Sequence, residues 1–532
     1  MTDVALVQHH VDVPVGESRE RSPRDGSSRG PSRTRDVVLW YGGEIPEHLE
    51  LPILGHGWRI ERVTPAQACA DVTLAAARAL IVELPDAVDD VTPFASPLIE
   101  AALGCGIPVV LTMESQDDHE AAPDPDLVHR FVERAKRLTV PGDARLVYRL
   151  PEWGKIAQWI EQHLPGPPPA LALRLKGDLP TAEEPEAEML LRRAFHDADE
   201  VTLTRLTGGK SGAAVWSAVP RQVDGPHRAS PFLVKYNSLR KNGLERSRYC
   251  TYADESVSFR LRPPLHASRC VEAREHGLLV FDFIDRAVPF RAALQVYPAA
   301  QLIGSLFGHT LFGCLRTSRS VTASLVEPFT RVKAFHWSPD LDEAAAHAFS
   351  YNATIPSPEQ LRFRLASLPP VLHRVATAHS DLHTGNLLVA AGSSDVLLID
   401  FGSIESSMPV VTDAACLEVS ITFPTPDAAV EMGGLPAPAQ DADWLRAAYA
   451  YPLRAFGVRE RYGRDAWVAD AVKAIRGASH QEEPASTPYP VAVSAYLIRY
   501  ASYADNGTLA DRALAYELAA GLLVKVSEEL GT

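Results

Sequence analysis

Two neighbouring segments, HSDLHTGNLLV (residues 379–389) and VLLIDFG (residues 396–402), decide how this chain is interpreted. Each combines a short apolar run typical of a buried strand with a polar turn. The two runs are close enough in sequence to pair as a hairpin, with the two polar turns at the same end. The pattern therefore predicts that Asp381, Asn386 and Asp400 lie close together.

These three side chains suit the transfer of a phosphoryl group to a hydroxyl. That reaction needs a carboxylate to orient the attacking hydroxyl and accept its proton, and oxygen ligands to hold Mg²⁺ on the nucleotide phosphates. Asp381 is the candidate base. Asn386 and Asp400 offer the hard oxygen ligands that Mg²⁺ prefers, from two adjacent turns.

A Gly-rich turn lies about 170 residues earlier, within VTLTRLTGGKSGAAVWSAV, residues 201–219. Gly208, Gly209 and Gly212 allow the backbone to approach a ligand closely, so that amide groups can converge on phosphate. A Walker-type loop is excluded, because its first glycine is absent and AAVWSAV alternates like a strand. We predict a nucleotide-binding hairpin, and a plain Gly-rich hairpin is the alternative.

A lysine interrupts the apolar run PFLVKYN, residues 231–237. Lys235 is either a solvent-facing residue of an edge strand or a contact to nucleotide phosphates, fixed by a carboxylate from a neighbouring helix. The helical segment 239–260 offers Glu245 and Glu255 for that role. We choose Glu245, which lies early in the segment.

At these residues the chain resembles the superfamily of aminoglycoside phosphotransferases and choline kinases, small-molecule kinases with the protein-kinase-like fold. Their catalytic signature is similar to His379-x-Asp381-x-x-x-x-Asn386 followed by Asp400. The resemblance implies an ATP- and Mg²⁺-dependent enzyme in which Asp381 is the catalytic base, Asn386 and Asp400 bind the metal, and Lys235 contacts ATP.

The resemblance also implies that His379 stabilises the catalytic loop and that Asp413 braces it. It covers residues 190–532, and its specific part is residues 379–402. The Gly-rich turn departs from protein-kinase spacing, and the protein-kinase signatures His-Arg-Asp and Ala-Pro-Glu are absent from the sequence. The apolar run at 278–284 is expected to lead into a hinge between two lobes.

The region before the catalytic half predicts a different fold. Near-continuous apolar runs alternate there with helical segments, which is typical of a parallel sheet with helices on both faces. The layout resembles a flavodoxin-like, receiver-type domain. The five predicted strands are residues 37–41, 58–63, 79–84, 108–113 and 137–141.

The ends of these strands lack the chemistry of a working receiver. Where a receiver carries an acidic pair for its metal, the first strand is followed by Gly42 and Gly43. The third strand carries Glu83, with Asp86 three residues later, and the fifth ends without a lysine. We therefore predict a degenerate, non-phosphorylated module with either a regulatory role or a docking role, through which a protein partner could bind.

Composition frames the domain organisation. The 532 residues carry 52 basic and 67 acidic side chains, a net charge of −15, which disfavours nucleic acids and anionic membranes as partners. No membrane-spanning segment, secretion signal or Cys-x-x-Cys pair is recognisable, so we expect a soluble cytoplasmic protein.

The predicted parts are a disordered tail (1–36), the receiver-like domain (37–164), a Pro-rich and acidic linker (165–188), a small lobe (189–286) and a helical large lobe (287–532).

The function expected from the sequence is transfer of the γ-phosphoryl group of ATP to a hydroxyl of a small molecule. Two alternatives remain open at this point. The acceptor could be a protein in a bacterial signalling system, which the receiver-like domain favours. The chain could also be a catalytically silent nucleotide-binding scaffold, although a silent protein has no chemical need to keep Lys235, Asp381, Asn386 and Asp400 together.

Overall fold

The structure is a computed structural model that describes part of the chain. The predicted tail, the predicted fifth strand at 137–141 and the three glycines of the Gly-rich turn lie outside that part. The described residues are 37–63, 77–84, 98–99, 102, 107–113, 146–148, 153–162, 167, 169–184, 186–206, 213–222, 231–273, 275–284, 286–426, 441–461 and 465–531.

The first sheet consists of parallel strands in the order β2-β1-β3-β4-β5. A parallel sheet is what the apolar runs predicted, and this strand order occurs in flavodoxin-like folds. The receiver-like identity itself stays a prediction. The elements are β1 (Val37–Tyr41), α1 (Glu47–Gly55), β2 (Arg59–Arg62), β3 (Ala79–Leu84), β4 (Val109–Met113), β5 (Leu146–Tyr148) and α2 (Trp153–Gln162).

The ends of β1 and β3 contact each other directly. Gly43 N–H donates a 2.7 Å hydrogen bond to the Glu83 carboxylate. A Cβ added to Gly42 would lie 2.5 Å from the Glu83 side chain, closer than van der Waals contact allows. The glycine pair after β1 is thus explained by the close approach of Glu83.

A second sheet has the strand order β10-β11-β9-β8-β7-β6 and is antiparallel except for the β6–β7 pair. Its core includes Trp216, Phe195 and Phe232, all fully buried. The elements are β6 (Arg174–Gly177), α3 (Ala187–Ala194), β7 (Glu200–Leu206), β8 (Ala214–Arg221), β9 (Phe232–Ser238), α4 (Leu239–Arg248), β10 (Val271–Glu272) and β11 (His276–Asp282).

Part of the predicted linker, residues 165–188, belongs to this sheet. Strand β6 pairs with β7, and two carboxylates of the acidic stretch contact residues of the same sheet. Glu184 forms a 2.6 Å ion pair with Arg205, and Glu186 lies 3.1 Å from the His276 ring. These carboxylates, which the sequence placed in a linker, have partners on distant strands of the sheet.

Glu184 gives this lobe a testable pH dependence. Burial would raise the pKa of its carboxyl, but Arg205 and the Thr181 N–H outweigh burial and hold that pKa below its usual value. A lowered pKa stabilises the fold above the pKa of the unfolded chain, and this contribution is lost as the pH falls through the folded value.

We therefore expect Glu184→Gln to lower the free energy of unfolding by about 1 kcal/mol or less at pH 7, because Arg205 is partly exposed. The difference from wild type should shrink below about pH 4. Urea unfolding at the two pH values measures it. The adjacent exposed Glu183→Gln is the control, and an equal loss at both pH values would rule out the ion pair as the cause.

The remaining chain forms two small antiparallel sheets among helices, around one large core. One sheet has the order β12-β15-β16, and the other β13-β14-β17. Their strands are β12 (Ala287–Pro289), β13 (Arg319–Ala323), β14 (Val371–Ala378), β15 (Leu387–Ala390), β16 (Val396–Leu398) and β17 (Glu405–Pro409). Strands β15 and β16 form the predicted hairpin, with Leu387 opposite Leu398.

In the described part of this region, helices α5 to α10 precede the hairpin and α11 to α15 follow it. Those with the most buried residues are α11, α13, α14 and α15. No helix in the described part of the chain combines the length and apolar character needed to cross a bilayer. In order they are α5 (Phe290–Ala293), α6 (Ala299–Ser305), α7 (Phe312–Arg316), α8 (Glu327–Arg331), α9 (Pro339–Tyr351), α10 (Pro358–Ser367), α11 (Thr412–Thr422), α12 (Ala442–Ala448), α13 (Ala466–Glu482), α14 (Pro488–Ala501) and α15 (Leu509–Leu530).

Candidate active site

The loop between β14 and β15 is held in place from several sides. Ser380 has a positive φ of 64°, and the N–H groups of His379 and Ser380 both donate 2.9 Å hydrogen bonds to Asp413 on α11. The Tyr496 hydroxyl donates to the Ser380 carbonyl at 2.8 Å, and His379 Nε2 lies 3.1 Å from the Ile399 carbonyl oxygen. The loop that presents Asp381 is therefore rigidly braced.

Asp381 lies at the surface of this loop with a quarter of its side chain exposed (25%). Its Oδ1 accepts a 2.9 Å hydrogen bond from Arg499 Nη1 on α14. Burial would raise the pKa of the Asp381 carboxyl, but Arg499, together with His383 and His379, holds it below its ordinary value. The carboxylate is thus ionised and accessible, as a proton acceptor must be.

Asn386 is buried at the far end of the same loop. Its Nδ2 donates a 2.9 Å hydrogen bond to the Asp381 carbonyl, which fixes the orientation of the amide. The neighbouring backbone ties the loop to the strand end that precedes Asp400, because the Ile399 N–H donates to the Asn386 carbonyl at 3.0 Å. The amide oxygen is thereby left for another partner.

Asp400 follows β16 in a left-handed backbone conformation, with φ 59°. A non-glycine residue in this region costs free energy, and such residues concentrate at functional sites. Its Oδ1 accepts a 3.3 Å hydrogen bond from the Gly402 N–H and lies 3.2 Å from Lys235 Nζ. The side chain remains 40% exposed, so it can still bind a ligand.

Lys235 on β9 connects the second sheet to the segment that carries Asp400. Its Nζ lies 2.7 Å from Glu245 Oε2, whereas Glu255 is exposed to solvent. Burial would lower the pKa of the Lys235 ammonium, but attraction to Glu245 and Asp400 outweighs burial and raises it. Lys235 is therefore charged and is aimed at the carboxylate end of the β15–β16 hairpin.

The helix that carries Glu245 is also bound to the segment that carries Asp400. Arg248, near the end of α4, donates hydrogen bonds to the Gly402 carbonyl and, at 2.9 Å, to Glu405. Tyr249 packs edge-on against Phe401, with 5.3 Å between ring centroids. These contacts fix Lys235 relative to Asp400, and sequence inspection had not singled out Arg248.

The donor set fits Mg²⁺ bound together with nucleotide phosphates. Asn386 and Asp400 offer one amide oxygen and one carboxylate, and Mg²⁺ commonly takes one or two protein ligands beside phosphates and water. Among the described residues there is no group of three or more His, Cys, Asp or Glu side chains able to form a protein-only metal cage. Asn386 and Asp400 therefore suit a metal ion that binds together with the nucleotide.

Gly208, Gly209 and Gly212 lie outside the described residues, between β7 and β8, which pair antiparallel up to Leu206 and Val215. A cavity of about 330 Å³ on the large lobe is lined by Phe307, Arg316, Arg374 and other residues, but by none of the site residues above.

Comparison with known proteins gives weak likenesses. No protein-family model matches the chain, and no curated protein matches its sequence. Among solved structures it is similar to an aminoglycoside phosphotransferase from Streptomyces rimosus, at 18% identity and a TM-score of 0.26 over 52% of this chain and 93% of that one. It is also similar to an ethanolamine kinase from Plasmodium vivax, at 10% identity and a TM-score of 0.29 over 60% and 82%.

A spectinomycin phosphotransferase solved with ADP and spectinomycin gives a comparable result, with 11% identity and a TM-score of 0.28 over 62% of this chain and 93% of that one. At these TM-scores the likenesses do not assign an activity. The function proposed below therefore rests on the contacts made by Lys235, Asp381, Asn386 and Asp400.

Proposed function

We propose that this chain is an Mg·ATP-dependent phosphotransferase with a protein-kinase-like fold, which moves the γ-phosphoryl group of ATP to a hydroxyl of a small molecule. The observation that carries the proposal is the convergence of three separate segments. Lys235 lies 2.7 Å from Glu245 and 3.2 Å from Asp400, and the Asn386 amide donates to the carbonyl of Asp381 at 2.9 Å. No single structural role needs this set of groups.

Asp381 orients the acceptor in this proposal. Its carboxylate accepts a hydrogen bond from the acceptor hydroxyl, whose oxygen attacks the γ-phosphorus in line with the leaving group. The bond between that phosphorus and the β,γ-bridging oxygen breaks, and ADP leaves with the electron pair. The hydroxyl proton passes to Asp381, so the products are ADP and a phosphate monoester.

Lys235 binds the nucleotide phosphates, and Glu245 keeps its ammonium in place. The backbone around Gly208, Gly209 and Gly212 covers the same phosphates in this proposal, since glycine permits close approach. Asn386 and Asp400 hold Mg²⁺, which when bound neutralises charge that develops on the phosphate oxygens. His379 positions the loop through its contact with the Ile399 carbonyl.

Replacing Asp400 by Asn tests the metal site. The amide cannot supply the negative charge that a divalent cation needs, so we expect turnover to fall by a factor of about 10² to 10³ and the Mg²⁺ requirement to rise. Rates measured over a range of Mg²⁺ concentrations check this. Asp395→Asn on the exposed turn of the same hairpin should leave the rates unchanged, and equal losses in both variants would contradict the assignment.

The class of acceptor is tested by giving the protein ATP labelled in its γ-phosphate, with either a metabolite extract or a protein extract. We expect label in a small molecule and none in protein. Label in protein would instead favour a signalling role, with the N-terminal domain as the docking part. Binding of ATP without transfer to either extract would show a silent scaffold and contradict the proposal.

A further inference from the structure

Arg499 has no role in the reaction as described so far, yet it touches the candidate base. It lies on α14, in the same helix as Tyr496, whose hydroxyl donates to the Ser380 carbonyl at 2.8 Å. The position of Arg499 relative to the catalytic loop is therefore fixed by two contacts from one helix. Its side chain is 30% exposed beside Asp381.

The guanidinium has capacity to bind a second group. Arginine carries five N–H donors in a planar fork. Among the hydrogen bonds made within the described part of the chain, the Arg499 fork contributes one, from Nη1 to Asp381 Oδ1. The remaining donors can pair with a planar carboxylate or with phosphate, which are the groups that the arginine fork fits best.

An aromatic pair includes a residue just after the end of α14. The Tyr503 ring stacks on His336 with 4.9 Å between centroids and 12° between planes, and Tyr503 remains 41% exposed. The Ser502 hydroxyl donates to the His336 carbonyl, and the Ser338 hydroxyl donates to the Ser502 carbonyl at 2.7 Å. These contacts hold the segment that follows α14, in which Tyr503 lies four residues after Arg499.

Charge decides which acceptors Arg499 favours. A polycationic acceptor approaching Asp381 would meet a guanidinium already paired with the carboxylate, and like charges at close range repel. An acceptor with an anionic group near its hydroxyl would gain a charge-assisted contact to Arg499 while its hydroxyl faces Asp381.

We propose that Arg499 determines acceptor specificity, and that the acceptor is a small alcohol carrying a carboxylate or phosphate group close to the hydroxyl that is phosphorylated. This inference rests on the proposed function. In the step itself the acceptor oxygen forms a bond to the γ-phosphorus, the bond to the β,γ-bridging oxygen breaks, ADP leaves, and the proton goes to Asp381. Arg499 holds the acceptor's anionic group and takes no part in bond making.

The test separates a metabolite extract of the source organism into anionic, neutral and cationic fractions by ion exchange at pH 7. Each fraction is incubated with the full chain, Mg²⁺ and ATP labelled in its γ-phosphate. We expect a labelled small molecule from the anionic fraction. A labelled product from the neutral or cationic fraction would overturn this inference and leave the proposed function standing, whereas no labelled product from any fraction would contradict the proposed function itself.

Variants of Arg499 then distinguish a role in acceptor binding from a role in positioning Asp381. The acceptor used is the unphosphorylated form of the compound that became labelled. We expect Arg499→Gln to raise the KM for that acceptor by a factor of about 10 to 100, while the KM for ATP stays within about twofold. Arg499→Lys should recover part of the loss because it keeps the charge. The exposed Arg319→Gln on β13 is the control for a lost surface charge.

A loss confined to kcat, with an unchanged acceptor KM, would make Arg499 a positioning residue for Asp381 and overturn the inference. Thermal melting and ATP binding of each variant show whether it is folded. If Arg499→Gln does not fold, Arg499→Lys decides the matter by the same split between KM and kcat, because a single point charge cannot reproduce the planar fork.

Discussion

Replacing Asp381 by Asn is expected to lower turnover by a factor of about 10² to 10⁴ and to leave ATP binding in place. Asn has nearly the same shape but cannot accept the acceptor's proton at neutral pH. The bonds that hold the loop, from His379 and Ser380 to Asp413, do not involve the Asp381 side chain and should survive. Steady-state rates and calorimetric ATP binding measure the two quantities separately.

Asp395→Asn is the matched control, because it makes the same chemical change on the exposed turn between β15 and β16. The Asp381 variant leaves Arg499 without its carboxylate, so its melting temperature is compared with that of wild type. Arg499 is 30% exposed and can be solvated, so we expect a folded protein. A fully active Asp381→Asn would show that another group is the base.

Removing the Glu418 side chain is expected to cost about 3 to 5 kcal/mol of the free energy of unfolding. Glu418 on α11 and Arg476 on α13 form a two-point pair at 2.7 and 3.0 Å, with side-chain exposures of 0% and 2%. Tyr489 on α14 donates a 2.6 Å hydrogen bond to the same carboxylate. Without Glu418, the positive charge of Arg476 is buried with no carboxylate beside it. Helices α11, α13 and α14 also lose the polar contact that they share.

Urea unfolding of Glu418→Ala measures this loss. Glu517→Gln is the control, because Glu517 pairs with Arg446, which is 42% exposed, and a surface pair is worth about 1 kcal/mol or less. A double variant, Glu418→Leu with Arg476→Met, should be less damaging than Glu418→Ala alone, since it buries no charge. If Glu418→Ala and Glu517→Gln lowered the free energy of unfolding equally, the buried pair would not stabilise these helices more than a surface pair does.

Local sequence patterns were sufficient to predict the elements whose structure depends on residues close to each other in the chain. Short continuous apolar runs placed β3 and the β15–β16 hairpin, and the polar turns beside that hairpin pointed to Asp381, Asn386 and Asp400. These signals arise within about ten residues, where side-chain periodicity follows directly from backbone geometry.

Contacts between distant segments could not be obtained in this way. Arg499 is 118 residues from Asp381 in the chain, and an arginine on a helix gives no sign of its partner. The choice of Glu245 over Glu255 was similarly weak, because a π-helical turn at Tyr249–Ala253 interrupts the periodicity between them. The acidic stretch before α3 was assigned to a linker, although Glu184 is paired with Arg205 on β7 of the second sheet.

The central claim is that the contacts among Lys235, Asp381, Asn386 and Asp400 serve phosphoryl transfer. The most direct measurement follows the γ-phosphate of labelled ATP when wild type or Asp381→Asn is mixed with Mg²⁺ and the metabolite extract. We expect both proteins to bind ATP, wild type to move the label to a small molecule, and the variant to leave the label on ATP. Wild type that binds ATP and never transfers the label, or a variant that transfers it equally fast, would contradict the account.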